Sequence, residues 1–265
     1  MLDVEAAVVT HMGRVRTHNE DAIAFVRPSR EAVLASHGVL ALVADGMGGH
    51  NAGERASALA AETIARAYFD SSAPPRQALL DAIQCANQVI HRAARADRAC
   101  RGMGTTCVVA AVSDDRAYWA WVGDSRLYLI RSGGVYRLTE DHTVVQDMVR
   151  LGWMTREDAS LHRDRNVLER ALGTRDSVEA GASESGMKLQ DGDRLLLSSD
   201  GLHDLVSDID IGGLAGAGAL SVCAQALLDA ALERGAPDNV SVLLIEATSR
   251  PAQRVPGPTR EHVLA

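Results

Sequence analysis

The sequence predicts an α+β layered sandwich. Three observations carry that expectation: an apolar run ending abruptly in Asp45-Gly46, two helical patterns in succession behind it, and a later series of short strands joined by close turns. Helices grouped together and strands grouped together do not alternate as βαβ units would, which argues against a doubly wound parallel sheet. Nothing inside the 265 residues reads as a linker, so the fold is taken as one domain.

In chain order, Glu5 to Thr10 and Ala22 to Val26 read as strands flanking the polar segment Arg14 to Asp21. Val39 to Ala44 is wholly apolar, as expected of a strand buried on both faces. Glu54 to Phe69 keeps a one-face helical spacing through Ala56, Leu59, Ala60, Thr63, Ile64, Ala67 and Tyr68. Pro74-Pro75 breaks the chain, and Arg76 to Ala94 forms a second helix with Leu79, Ile83, Ala86 and Ile90 inward. From Thr105 the segments TTCVVAAV, RAYWAWV, RLYLIR and VYRL are strands, and the short turns between them imply antiparallel pairing.

Thr143 to Leu151 is expected to be a short helix, and Thr155 with Asp158 three residues on is a capping box opening another. Asn166 to Gly173 carries no clear pattern. Arg194 to Ser198 is a strand, Leu220 to Arg234 a helix stopped by Gly235, and Val240 to Glu246 the last strand. Ser249 to Ala265 has prolines and no periodicity, so residues 1–248 are taken as the domain and 249–265 as a flexible tail.

Composition narrows the function. A formal charge of −8 without a block of Lys or Arg disfavours a nucleic-acid or anionic-membrane partner. Cys85, Cys100, Cys107 and Cys223 show no CxxC pair and no zinc spacing, so they read as small buried hydrophobes in a reducing compartment. The start lacks a basic region followed by a long apolar core, and Ile211 to Ala224 is glycine-rich and too short to span a bilayer. A cytoplasmic protein is expected.

Five acidic elements stand where a strand gives way to a turn: Asn19-Glu20-Asp21, Asp45-Gly46, Gly123-Asp124-Ser125, Asp200-Gly201 and Asp238-Asn239. Singly, each is an ordinary turn former. Together they form a pattern, because Asp45 and Asp200 both extend from core strands with no Lys or Arg close by in sequence. If these strand ends converge, the carboxylates repel unless divalent cations neutralise them. All-oxygen ligation suits Mg²⁺ or Mn²⁺ rather than zinc, and none of the nine histidines is needed as a ligand. Two such ions about 3.5–4 Å apart could hold a bridging hydroxide for in-line displacement. Arg16 could fork two phosphate oxygens, a solvent-exposed arginine at a strand end being the plainer alternative.

The motifs Arg16-Thr17-His18-Asn19-Glu20-Asp21, Val43-Ala44-Asp45-Gly46-Met47-Gly48-Gly49-His50, Gly102-Met103-Gly104-Thr105-Thr106, Val122-Gly123-Asp124-Ser125-Arg126, Ser198-Ser199-Asp200-Gly201-Leu202 and Asp238-Asn239-Val240-Ser241 resemble, in order, those of the metal-dependent PP2C-type (PPM) protein serine/threonine phosphatases, bacterial type. The match runs from Thr10 to Ala247. The resemblance implies a four-layer αββα sandwich of two antiparallel sheets flanked by helix pairs, with Mn²⁺ or Mg²⁺ at one end. It implies that Asp45 bridges two metals, that Asp200 and Asp238 complete the first, and that Glu20 (through water) and the Gly46 carbonyl hold the second. By the same resemblance Asp21 orders metal-bound water, Asp124 with Asp200 forms a third, weaker site, and Arg16 binds the substrate phosphate. Leu138 to His142 and Met148 to Arg165 resemble the family's flap. Implied partners are phosphorylated proteins and a serine/threonine kinase with its substrates, met by a monomer.

One departure concerns the leaving-group acid. Animal-type members carry a histidine directly after the Asp-Gly, and here that position is Met47. His50 or a metal-held water could serve instead, an ordinary loop role for His50 being the alternative. Rival readings are weaker. The glycine loop lacks the Lys-Ser/Thr of a phosphate-binding loop, and Gly123-Asp124-Ser125-Arg126-Leu127 lacks the closing glycine of a nucleophile elbow. A catalytically dead phosphoprotein-binding relative would be expected to have lost an acid among Asp45, Asp200 and Asp238, and all three are present. A phosphatase of small phosphomonoesters would share the same residues and is separable by comparing phosphopeptide with free phosphoserine turnover.

Overall fold

A computed structural model describes residues 2–48 and 52–249. The first third of the chain comprises β1 (Leu2–His11), β2 (Asp21–Val26), α1 (Glu31–His37), β3 (Val39–Met47), α2 (Ala52–Phe69) and α3 (Pro75–Ala96). Next come β4 (Gly104–Thr105), β5 (Cys107–Ser113), β6 (Arg116–Val122), β7 (Arg126–Arg131), β8 (Gly134–Arg137), α4 (Val144–Arg150) and α5 (Arg156–Leu161). The remainder holds β9 (Gly181–Ala182), β10 (Met187–Lys188), β11 (Asp193–Ser198), α6 (Asp200–His203), α7 (Asp208–Ala215), α8 (Leu220–Glu233) and β12 (Val240–Ser249).

Two sheets result. One has the order β1-β12-β11-β7-β8, the other β10-β6-β5-β3-β2, with β4 added to β3 and β9 to β6. The strand pairings are antiparallel, as the short connections require.

Three apolar layers show how the sheets stack. Leu40, Leu42 and Ala44 of β3 pack with Ile64 and Tyr68 of α2 and Leu79, Ile83 and Ile90 of α3. Leu196, Val242 and Leu244 pack with Ile211 of α7 and with Ala224 and Leu227 of α8. Between the sheets lie Val39, Ala41, Val43, Val108, Leu127, Leu195, Leu197, Leu243 and Ile245. The period of two along each strand therefore feeds two cores at once, giving the α-β-β-α order. No helix among the described residues is long and apolar enough to cross a membrane.

The sequence expectations hold for the main strands and for α2, α3, α4, α5 and α8, with ends shifted by a few residues. Thr143 and Thr155 do cap their helices, accepting from the N–H groups of Gln146 and Asp158. Three helices, α1, the four-residue α6 and α7, carried no readable signal. Helix α1 buries none of its residues, and α7 contains Gly212-Gly213, with Gly212 set against Val135. Cys85 departs from the expected burial and is exposed, because α3 turns Leu79, Ala82, Ile83, Ala86 and Ile90 inward and leaves position 85 off that stripe. Strand β12 reaches Ser249, which pairs with Leu2, one residue into the expected tail. Residues 250–265 lie outside the described residues.

Buried Arg194 fixes the loop between α7 and α8. Its guanidinium donates to the Ala215 carbonyl at 2.8 Å and to Glu246 Oε1 at 2.9 Å, so its buried charge is paired. Packing of α3 is tested most directly at Leu79, fully buried in the helix-side core. Leu79→Ala should lower unfolding stability by about 2–5 kcal/mol, read from urea midpoints at unchanged slope.

A candidate active site at the open end of the sandwich

The inter-sheet layer ends in carboxylates. On β3, Val39, Ala41 and Val43 face the other sheet, and the same alternation puts Asp45 on that face at the strand's end. Asp21 is directly opposite Asp45 in the β2–β3 register, so both side chains share the face. From the other sheet, Ser199 follows Leu195 and Leu197 on the inward side and its Oγ donates to Asp21 Oδ2 at 2.8 Å. Asp200 opens α6 immediately after β11.

A cavity of ≈ 670 Å³ opens here, lined by Arg16, Glu20, Asp45, Gly46, Asp124, Asp200 and Asp238 together with Thr106, Asn166, Glu169, Thr174 and Arg175. The structure thus brings together every expected site residue within the described set except Asp21, which stands beside Asp45 on the neighbouring strand and does not line the cavity. His50 lies outside the described residues.

Electrostatics at this end are strained in one direction. Burial, then neighbouring carboxylates, pushes Asp45 well above the usual range, and the same two causes act on Asp200. Burial raises Asp21 to about 6 against the opposing hydrogen bonds of Ser241 and Ser199, and raises Asp124 to about 7. Glu20 is raised too, chiefly by burial. Asp21 Oδ1 and Asp200 Oδ1 are buried without any hydrogen-bond partner among the described residues. Unpaired buried oxygens of this kind call for a proton or a cation.

The donor set fits a hard divalent cation: six carboxylates and a peptide carbonyl, with no thiolate or imidazole. Among the described residues no three of these carboxylates meet round one point as a closed ligand set. Asp238 is engaged by neighbouring donors. Its Oδ2 accepts from Arg16 Nη2 at 2.7 Å and its Oδ1 from the Asn239 N–H at 2.8 Å. Arg16 is consequently held at the cavity, and this hydrogen bond raises its own pKa.

Backbone anchoring positions the acids. Asn239 Oδ1 accepts from the Glu20 N–H at 2.8 Å while its Nδ2 donates to the carbonyls of Met12 and His18 at 3.0 and 2.9 Å. Thr106 Oγ1 accepts from the Asp45 N–H at 3.0 Å, and Thr105 Oγ1 donates to the Asp45 carbonyl at 2.8 Å. Gly53 is where α2 passes closest, since a Cβ there would stand 2.8–2.9 Å from the Glu20 carboxylate. Sequence reasoning quoted Asn239, Thr105 and Thr106 within motifs without giving them these tasks. It missed Glu169, Thr174 and Arg175 altogether, for they sit in or beside a segment with no period.

The expected flap region is built on α4 and α5. Arg126 binds Asp141 through Nε at 3.0 Å and Nη2 at 2.7 Å, and His142 stacks on Trp121 with ring centroids 5.8 Å apart. Arg126 is thus committed to Asp141, and its charge only partly offsets the burial that raises Asp124.

An α+β sandwich that gathers buried carboxylates and an arginine at one open end is the architecture of a hydrolase of phosphate esters. The chain belongs to the protein phosphatase 2C family, whose model matches residues 5–148. It is 32% identical over 255 residues to protein phosphatase PhpP of Streptococcus pneumoniae, covering 94% of this chain and 100% of PhpP. It superposes on the serine/threonine phosphatase PstP/Ppp of Mycobacterium tuberculosis with a TM-score of 0.83 at 33% identity, covering 94% of this chain and 100% of that one. A structure of the PstP catalytic domain in complex with two manganese ions matches with a TM-score of 0.79 at 32% identity, covering 94% and 100%. The protein is a bacterial-type protein serine/threonine phosphatase, a hydrolase acting on phosphorylated proteins.

The raised carboxylates make the chelator-treated protein sensitive to pH. Asp21 and Asp124 bind protons more tightly folded than unfolded, so their stability contribution is complete below the unfolded value of about 3.9 and is lost as pH rises through about 6 and 7. In EDTA the melting temperature should fall between about pH 4 and 7, and Asp45→Asn, which removes a neighbouring charge, should flatten the fall.

Proposed function

We propose that the chain dephosphorylates phosphoserine and phosphothreonine in proteins as a Mn²⁺- or Mg²⁺-dependent monomer in the cytoplasm, by direct attack of water on phosphorus, and that it reverses a bacterial serine/threonine kinase. The observation that carries the metal reading is the cavity of carboxylates with orphaned oxygens on Asp21 and Asp200. The manganese complex of the PstP neighbour supports it, and the kinase partner rests on the family resemblance.

In this reading Asp45 would serve both cations, Asp200 and Asp238 would help hold one, and Glu20 (through water) with the Gly46 carbonyl would hold the other. Asp124 with Asp200 supports a third, weaker site. Bound cations would supply an activated water and neutralise charge on the phosphoryl oxygens. Asp21, held by Ser199 at 2.8 Å, orients a proton-bearing water with its second oxygen. Arg16 forks two phosphoryl oxygens.

Arg16 and Asp238 are coupled in this scheme. They are paired at 2.7 Å, with side-chain exposures of 52% and 36%, so the pair is weakly held and exchangeable. A cation held by Asp238 would free Arg16 for phosphate, and a phosphate on Arg16 would free Asp238 for a cation. The ester oxygen leaves as the new P–O bond forms, and His50 or a water returns its proton.

Phosphothreonine-peptide hydrolysis should require Mn²⁺ or Mg²⁺, stop in EDTA, and fall at least about a hundredfold in Asp200→Asn. Rapid-quench sampling should show no burst and no phosphorylated enzyme residue. A folded wild type inactive with both metals on several phosphopeptides would favour a binding module instead.

A further inference from the structure

Two cationic side chains line the cavity among the described residues, Arg16 and Arg175. Arg16 is engaged by Asp238. The Arg175 guanidinium has no hydrogen bond or ion pair among the described residues. Arg175 also borders an adjoining hollow of ≈ 230 Å³ with Glu169, Arg170 and Glu179. There Arg170 is balanced by Glu179 at 3.8 Å and Glu169 at 4.0 Å. Glu169 is in turn drawn to Asp147, whose hydrogen bond holds its carboxyl above the ordinary range. The uncompensated positive charge at this rim is Arg175.

An exposed arginine on a slack loop would be a solvated charge and no more. This loop is anchored on three sides. Leu172 exchanges backbone hydrogen bonds with Thr105 at 3.2 and 2.8 Å, and Thr105 is the residue bonded to the Asp45 carbonyl. Asn87, fully buried on α3, accepts from the Gly173 N–H at 2.8 Å and donates to the Arg175 carbonyl at 3.1 Å. Gly173 has φ +84°, and a Cβ there would fall 2.2 Å from Ile90 Cγ2. A buried amide with both ends committed to one surface loop fixes where residue 175 leaves the backbone.

We propose that Arg175 is a specificity-determining contact that receives an anionic group, a carboxylate or a second phosphoryl, on the substrate residues flanking the phosphorylated one. The inference rests on the function proposed above. The rest of the cavity wall favours this assignment: in the proposed function Arg16 is taken by the reacting phosphoryl group and Glu20, Asp45, Asp124, Asp200 and Asp238 by cations, which leaves Arg175 as the lining side chain with positive charge to offer a second anion. The cavity also extends beyond what a single phosphoryl group fills, so flanking residues enter it.

Three phosphothreonine peptides, with alanine, aspartate or phosphoserine at the two positions on either side, separate the possibilities when release at each site is followed by mass spectrometry in Mn²⁺. The wild type should prefer the aspartate and phosphoserine peptides over the alanine one by about fivefold in kcat/KM, mostly through KM, with the preference shrinking in added salt. Arg175→Ala should abolish the preference, Arg175→Lys should keep most of it, and Arg175→Glu should invert it. A preference for phosphoserine alone would identify a second phosphoryl as the group received. Hydrolysis with a flat ratio in the wild type, or a ratio unmoved by Arg175→Ala and Arg175→Glu, overturns the inference and leaves the phosphatase reading standing. A wild type that hydrolyses neither the peptides nor p-nitrophenyl phosphate overturns both.

Discussion

The structure depends on how its inter-sheet core ends. Along β3 the inward positions are Val39, Ala41, Val43 and then Asp45, so one period-two pattern runs from hydrocarbon into carboxylate without changing direction. Asp21, opposite Asp45, does the same from β2. Two like charges about 4 Å apart repel by about 4 kcal/mol at an effective dielectric of 20, and loss of hydration adds to that. Such an end is tolerable only if protons or cations share it. The raised pKa values of Asp21, Asp45, Asp124 and Asp200 and the two orphaned oxygens express the same constraint.

What keeps the acids near one another against their repulsion is neutral hydrogen bonding to the backbone that carries them. Asn239 ties Met12, His18 and Glu20 to the entry of β12, and Thr105 and Thr106 hold both polar groups of the Asp45 peptide. Ser199 reaches across from the other sheet to Asp21. The Asn239, Thr105 and Thr106 contacts engage no carboxylate, whereas the Ser199 bond favours the charged form of Asp21. The site is therefore preorganised by uncharged groups, while its charges remain available for ligands.

Legibility in the sequence follows the range of the interactions concerned. Asp45 and Asp200 stood out because an apolar run, its period and the turn after it are all local. The fold class was readable for the same reason, since strand runs and helix stripes are short-range patterns. Arg16 and Asp238 each drew notice, yet their pairing joins positions 222 residues apart and no spacing announces it. Asn166 to Gly173 stayed unread because it has no period of its own. Its conformation is set by Thr105 and Asn87, partners that belong to other elements. Helix α1, which buries no residue, and Cys85, off the buried stripe of α3, mark the same boundary: a pattern is legible where packing enforces it.

The charge balance of the whole chain bears on how such a site would work. A protein of formal charge −8 repels phosphorylated substrates at long range, and the cavity itself is lined by acids. Arg16 is paired with one of those acids, so it offers phosphate little until Asp238 has another partner. On the proposed reading, Asp238 would find that partner in a bound cation and the cavity's negative charge would be offset, so cation binding and phosphate binding would be linked. Positive charge that came instead from fixed lysines or arginines would hold phosphate permanently and would compete with release of the product. An acidic cavity whose positive charge is borrowed can bind the dianion and still let it go.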